Sequence, residues 1–436
     1  MSFIDRVRGR LNGKKRDPLN WETWRHAALV AVLAWAGVGA DGLSSANYGP
    51  EEAYKAMAGH EPLVLWLALV TAVTVVIISM AYVQIIALFP NGGGGYQAAS
   101  RLFHPLAGLF SGSALIVDYS LTISISIAAA TDAILSLTHH SNRGLKPWLM
   151  AGGLTFLVAV NLRGMRESLS ILAPIFFLFL ITHVFLIGAG LYVRGDVLVE
   201  GVVSAEREAE TVIAEGGVWM LLAILGTAYA AGAGTYTGIE ALSNNAQALK
   251  PPRAKTGARA MALIAVSLAL IAGGILLLYT VWQPDIVFGK TLNSVVFTQT
   301  LAELFPEIPW LQQVIITTAM CAAAALLLVA ANAGFLGGPA VLASMSIDKW
   351  APHGFAHLSN KLVAQNGIVT MAAGAVFILL FTGGDVHELV ILYSINVFTT
   401  FTLSLTGLVR HGIQHRGERP GWQRRLLIAM LAWLVA

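Results

Sequence analysis

Gly39-Ala40-Asp41-Gly42-Leu43-Ser44-Ser45-Ala46-Asn47-Tyr48 sets one carboxylate among glycines, alanines and hydroxyls. The stretch follows the apolar run 26–38 (His-Ala-Ala-Leu-Val-Ala-Val-Leu-Ala-Trp-Ala-Gly-Val), which reads as membrane-buried helix. Asp41 therefore arrives at about mid-membrane depth. An acid there costs roughly 2.5–3.5 kcal/mol on insertion scales. Glycine and serine let the helix unwind and turn carbonyls and hydroxyls toward an internal cavity. A cation bound at that point would offset the cost, so the stretch predicts a cation pathway.

Composition agrees with a bilayer setting. Hydrophobic residues are 56% of the chain and charged residues 12%, against about 25% charged in soluble domains. A mean hydropathy of +0.70 is incompatible with one large soluble core. The single cysteine, Cys321, lies in an apolar run and excludes an intrachain disulfide. No cleavable leader is expected, because the first 25 residues are polar and basic and the apolar segment after them is followed by many more.

Hydropathy predicts an all-α polytopic membrane protein with ten complete spans, near 26–58 (broken), 63–89, 106–136, 147–162, 168–193, 217–246 (broken), 258–283, 309–339, 365–382 and 387–409. Residues 426–436 begin an eleventh, at which the sequence stops; a fragment or a degenerate C-terminus would read this way. The expected organisation is a basic cytosolic N-terminus (1–25), a transport core (26–409) and a cytosolic loop leading to the start of that last helix (410–436). With the N-terminus inside, 21 of the 27 Lys and Arg fall on the inner side and 6 on the outer. The positive-inside rule prefers this orientation and supports the span count. Residues 194–216, rich in glutamate, are then expected as an acidic external loop with a solvated surface.

A second break turns a membrane protein into a candidate transporter. Span six carries Ala230-Ala231-Gly232-Ala233-Gly234-Thr235-Tyr236-Thr237-Gly238-Ile239-Glu240, again small residues and hydroxyls with one acid. It lies five spans after the first break, so units of five spans would have opposite topology, at about 26–193 and 217–409. Two discontinuous helices so related are the sign of an inverted repeat with a midplane site. Close helix packing is the alternative reading of small residues, and it fits either break alone better than both together.

Span three adds Asp118, Thr122 and Ser126 at i, i+4 and i+8, one helix face made of oxygen donors. Such donors suit hard cations, although membrane hydroxyls commonly bond their own i−4 carbonyl. Asp132, near the end of the same span, reads as interfacial. Tyr393 falls about two turns into span ten, within reach of a central cavity. The run Asn91-Gly92-Gly93-Gly94-Gly95 has neither the strand nor the lysine of a phosphate loop and reads as a tight cytosolic turn or gate hinge. His353 and His357 lack a third metal ligand, and His139-His140 sits in an external loop. No nucleophile–base set is present, which argues against an enzyme.

Asp41 through Tyr48 resembles the first-helix signature of the Kup-type potassium uptake family, and the continuation Gly49-Pro50-Glu51-Glu52-Ala53 is similar to its KimA branch of potassium–proton symporters. Phe89-Pro90-Asn91-Gly92-Gly93-Gly94-Gly95-Tyr96 and Thr237-Gly238-Ile239-Glu240-Ala241 resemble patterns of the wider amino acid–polyamine–cation superfamily. The resemblance implies a LeuT-like 5+5 inverted repeat. It implies potassium held by Asp41, Tyr48, Asp118, Thr122, Ser126, Thr237 and Tyr393, with Glu240 in proton coupling and no cofactor beyond the transported K+ and H+. It further implies a bacterial plasma (inner) membrane. KimA-like members continue through twelve spans into a cytosolic domain used for dimer contacts and regulation, a region this sequence does not contain; a homodimer is implied by resemblance only.

Glu240 has a physical role independent of that resemblance. Burial disfavours a carboxylate's charged form and a nearby cation favours it, so protonation and cation occupancy would be linked. Bonding to the unwound backbone of its own break is the plainer alternative. Potassium uptake coupled to protons is thus the leading expectation. Amino acid or polyamine permeation on the same fold is the second, with Asp41 set against substrates that present a carboxylate. A receptor or scaffold is the third, disfavoured by the cost of buried acids.

Overall fold

The computed structural model describes residues 29–138, 143–163, 169–359, 364–418 and 420–436. The expected basic N-terminus 1–25, the first residues of span one (26–28) and the His139-His140 pair lie outside the described residues.

Among the described residues the chain is helical apart from turns and one parallel bridge between Leu29 and Leu249. The helices are α1 (Ala31–Gly37), α2 (Gly39–Ser44), α3 (Gly49–Lys55), α4 (Val64–Leu88), α5 (Gly94–Gln97), α6 (Pro105–Leu135), α7 (Lys146–Leu162) and α8 (Leu169–Val193). They continue with α9 (Val197–Ala231), α10 (Ala241–Asn244), α11 (Arg253–Trp282), α12 (Leu292–Leu304), α13 (Pro309–Ile347), α14 (Gln365–Thr382), α15 (Val386–Gln414) and α16 (Trp422–Val435). Among the described residues, eight helices are long and apolar enough to cross a membrane. The first span is not among them because its break divides it into α1, α2 and α3. Many of the large side chains left exposed, among them Phe110, Phe156, Ile181, Phe377 and Leu380, are apolar, as a lipid-facing surface requires.

The two halves meet through their first four pairs of spans. α4 packs on α11, α6 on α13 and α7 on α14, each helix against the one five spans later. The broken spans pair too: Ser45 Oγ donates to the Thr235 carbonyl at 3.1 Å, linking the two breaks directly. At the far end, Leu29 N–H donates to the Ala248 carbonyl and Lys250 N–H donates to the Leu29 carbonyl, both at 2.8 Å. Small residues make this possible. A Cβ on Gly232 would lie 2.8 Å from that of Ala53, and one on Gly49 would lie 2.7 Å from the Thr235 nitrogen.

One sequence expectation is corrected, and one helix appears that the sequence reading did not mark. Residues 194–216 are mostly not a loop: α9 begins at Val197 and runs to Ala231 with a kink at Gly217 (φ 75°). Ala205 and Val212 bury one face while most of the glutamates stay outside, so the sequence read as polar and missed a helix covered on one side. The connection between spans seven and eight also contains a helix, α12, whose polar residues Asn293, Ser294 and Thr300 are buried. At 13 residues it is too short to cross a membrane.

Candidate functional site

Both breaks are unwound by the residues the sequence singles out. Between α2 and α3 the chain passes through a 3-10 turn, Ser45–Asn47, while Ser44 Oγ donates to the Asp41 carbonyl at 2.7 Å and Ser45 Oγ to that of Gly42 at 2.5 Å. In span six, α9 gives way to a 3-10 turn over Gly232–Tyr236, Thr237 is extended, and Gly238 takes a left-handed φ of 78°. That conformation belongs to glycine. A Cβ at Gly238 would also lie 2.7 Å from the Asp41 carbonyl carbon, so the second break sits directly on the first.

All eight residues named above are buried, at 4% exposure or less. Asp41 and Tyr48 come from span one, Asp118, Thr122 and Ser126 from α6, Thr237 and Glu240 from the span-six break, and Tyr393 from α15. The Thr122 and Tyr393 hydroxyls are 2.7 Å apart, joining α6 to α15. Tyr48 lies beside Thr237. Gly238 lies on the Asp41 carbonyl and donates its N–H to Glu240, so these two acids flank the contact of the breaks, and Tyr119, the neighbour of Asp118, is tied to span six through Asn244 at 2.9 Å. Among the described residues, no Lys, Arg or His forms an ion pair with any of the three acids. Nor do any three acidic, His or Cys side chains converge tightly enough to chelate a metal ion. The acids are spaced, with hydroxyls interleaved.

Hydrogen bonding separates the hydroxyls of α6 into two kinds. Ser120 and Ser124 donate to the carbonyls four residues back, at 3.1 and 2.8 Å. Thr122 turns to Tyr393 instead, and Ser126 Oγ has no protein partner. Asp118 Oδ1 and Glu240 Oε2 are likewise buried without a partner. Glu240 does bond its own break, Oε1 accepting from Gly238 N–H at 3.3 Å, but only with one of its two oxygens. Buried polar atoms without partners are rare and call for an explanation.

A cavity of about 490 Å³ lies next to this cluster, between α3, the end of α6, the loop 286–291 and the start of α15. It reaches Asn47 and Tyr48, but Asp41, Asp118 and Glu240 are not in its lining. Tyr48 is shared by the cavity lining and the cluster, its ring against Gly234, where a Cβ would come within 2.9 Å. Charged pairs line the walls. Lys55 Nζ contacts Glu51 and Glu52, both at 2.8 Å, Glu52 also meets His387 Nδ1 at 2.5 Å, and Lys146 holds Asp132 at 2.8 Å. Asp132 is thus paired at the mouth, apart from the buried acids.

Sequence reasoning did not single out Asn244 or Tyr119. Asn244 Nδ2 donates to the Tyr119 hydroxyl at 2.9 Å, its Oδ1 accepts from Gly95 N–H at 3.1 Å, and its carbonyl accepts from Gly93 N–H at 3.0 Å. One signal was available: Tyr119 directly follows Asp118, and Asn244 lies one helical turn after Glu240.

Discontinuous helices paired across an inverted repeat around a buried acidic cluster define a membrane transporter. A family model described as amino acid permease matches residues 26–436, and the chain belongs to the amino acid permease family. Potassium transporter KimA of Bacillus subtilis (strain 168) is 30% identical over 430 residues, which cover 96% of this chain and 67% of that protein. Two crystal structures of mutant forms of the Eremococcus coleocola manganese transporter share the fold at a TM-score of 0.50 and 15% identity, covering 98% of this chain and 88% of theirs. The fold is the LeuT-like 5+5 arrangement, and the protein is a multi-pass transporter rather than an enzyme.

Proposed function

We propose that this transporter takes up potassium by proton-coupled symport, through alternating access around a midplane site. The observation that carries the proposal is the buried acidic cluster itself. Three buried carboxyls from three spans are gathered about the contact of the two breaks, where like charges would repel, with no basic partner among the described residues. A bare cation would relieve both the repulsion and the cost of burial. Asp118 Oδ1 and Ser126 Oγ, unpartnered on one face of α6, supply oxygens suited to a hard alkali ion. The likeness to KimA favours potassium among such ions.

In this reading Asp41, Tyr48, Asp118, Thr122, Ser126, Thr237 and Tyr393 contact the cation. Glu240 exchanges the proton, its unpartnered Oε2 being the atom that carries it. The vestibule above Tyr48 faces outside, in a plasma membrane with the N-terminus in the cytoplasm. Positive-inside counting supports that orientation.

The family's amino acid permease description supports a second reading, permeation of an amino acid or a polyamine. Asp41 opposes a carboxylate substrate at the first break, where the helix end would otherwise attract one, but it does not oppose a polyamine. Rubidium uptake into proteoliposomes, measured with and without competing sodium, spermidine and amino acids, separates these readings. Potassium transport predicts uptake blocked by potassium alone. Uptake of labelled spermidine or amino acid with no rubidium entry would overturn it.

A further inference from the structure

We infer that Asn244 is a positioning residue for transport: it holds the glycine loop between α4 and α6 shut beneath the acidic cluster, and so couples the state of that cluster to access from the loop's side of the membrane. The inference rests on the transporter reading and concerns a residue outside the ion-contacting set.

Three elements meet on this one side chain. Asn244 ends α10, which begins immediately after Glu240, and its own N–H donates to the Glu240 carbonyl at 3.0 Å. Its amide nitrogen reaches Tyr119, the neighbour of Asp118 on α6. Its two oxygens receive the Gly93 and Gly95 N–H groups of the loop. The loop is shaped for this seat. Gly92 and Gly93 have φ of 89° and 78°, and a Cβ on Gly94 would lie 2.8 Å from the Ser243 carbonyl carbon. The seat is closed from the other sides by Ser404 Oγ, which donates to the Gly95 carbonyl at 3.2 Å, and by Tyr96, whose hydroxyl donates to Asp348 at 2.7 Å.

A shift of Glu240 when it gains or loses a proton is therefore transmitted through a single turn of helix to the loop's backbone donors. The same amide registers movement of the helix that carries Asp118. Glycine is required at 92 and 94 because a Cβ there would meet Asn244 and Ser243 and hold the loop off α10. Three hydrogen bonds of ordinary strength make a latch that can be released, since each contributes only modestly.

The test uses Cys321→Ser as background, which removes the only cysteine. One reporter is Ser111→Cys, fully buried beside Gly112, where a Cβ would come within 3.0 Å of the Tyr96 ring. The other is Ala129→Cys, in the lining of the vestibule. Labelling by a membrane-impermeant maleimide is measured from the loop side for the first and from the vestibule side for the second. Asn244→Ala and, independently, Gly94→Ala are expected to raise labelling at 111 by about tenfold, the scale of one or two lost hydrogen bonds, and to lower it at 129. Tyr119→Phe should shift both rates in the same directions by less. Rates unchanged at both positions, or rising at both as in general loosening, would overturn the inference. Labelling needs no substrate, so absence of rubidium uptake would count against the potassium reading and leave this result standing.

Discussion

Gly238 lies against the span-one break so closely that a Cβ on it would come within 2.7 Å of the carbonyl carbon of Asp41. Two unwound segments from opposite halves of the chain thus touch backbone to backbone at the level of the buried acids. At Gly42, the facing position, the nearest atom to a Cβ is the Thr237 carbonyl oxygen at 3.4 Å, an ordinary contact.

That asymmetry gives a paired prediction. Gly238→Ala combines a left-handed φ with a backbone collision and should cost more than about 2 kcal/mol and abolish uptake. Gly42→Ala should cost less and leave measurable transport. Thermal unfolding in detergent together with rubidium uptake reads both, and equal effects would contradict the packing described.

The Thr122–Tyr393 bond ties α6 to α15 without a charged group. Thr122→Val and Tyr393→Phe should each weaken rubidium binding. Because each removes the same bond, the double variant should weaken it by less than the sum, with a coupling of about 1 kcal/mol. Additive losses would place the two hydroxyls in separate roles.

Glu240→Gln keeps a donor and acceptor at the break but cannot ionise. Uptake driven by an inward proton gradient should be lost, and any residual rubidium exchange should become independent of pH. Gradient-driven uptake with unchanged pH dependence would remove Glu240 from proton coupling.

At the vestibule, Glu52 is 3% exposed whereas its partners Lys55 and His387 are 31% and 60% exposed. Water can replace what the exposed partners lose but not what the buried carboxylate loses. His387→Phe, which leaves the buried Glu52 carboxylate short of a partner, should therefore lower the thermal midpoint more than Glu52→Gln does. The reverse order would contradict the burial of the Glu52 carboxylate.

Much of this was legible in the chain because membrane burial penalises acids and backbone breaks strongly. Asp41, Asp118 and Glu240 had no ordinary place in apolar spans, and glycines with hydroxyls marked where the helix gives way. Asn244 was not legible, because one asparagine near a helix end is also an ordinary terminator; only the fold brings the loop 91–95 beneath it. α12 was hidden for a different reason. Its buried Asn293 and Thr300 meet neighbours far along the chain, Asn293 donating to the Ala46 carbonyl at 3.4 Å and Thr300 lying against Gly190. Local hydropathy carries no trace of such contacts. The acidic start of α9 misled in the same way, since one apolar stripe of Ala205 and Val212 is a faint signal among so many glutamates.

Anomalous diffraction from crystals of the transporter grown in rubidium locates the ion directly. The proposed site predicts one dominant anomalous peak among Asp41, Tyr48, Asp118, Thr237 and Tyr393, lost in the Asp118→Asn variant. Rubidium confined to the vestibule beside Glu51 and Asp132, or a central peak unchanged by Asp118→Asn, would contradict a midplane site built on the buried acids.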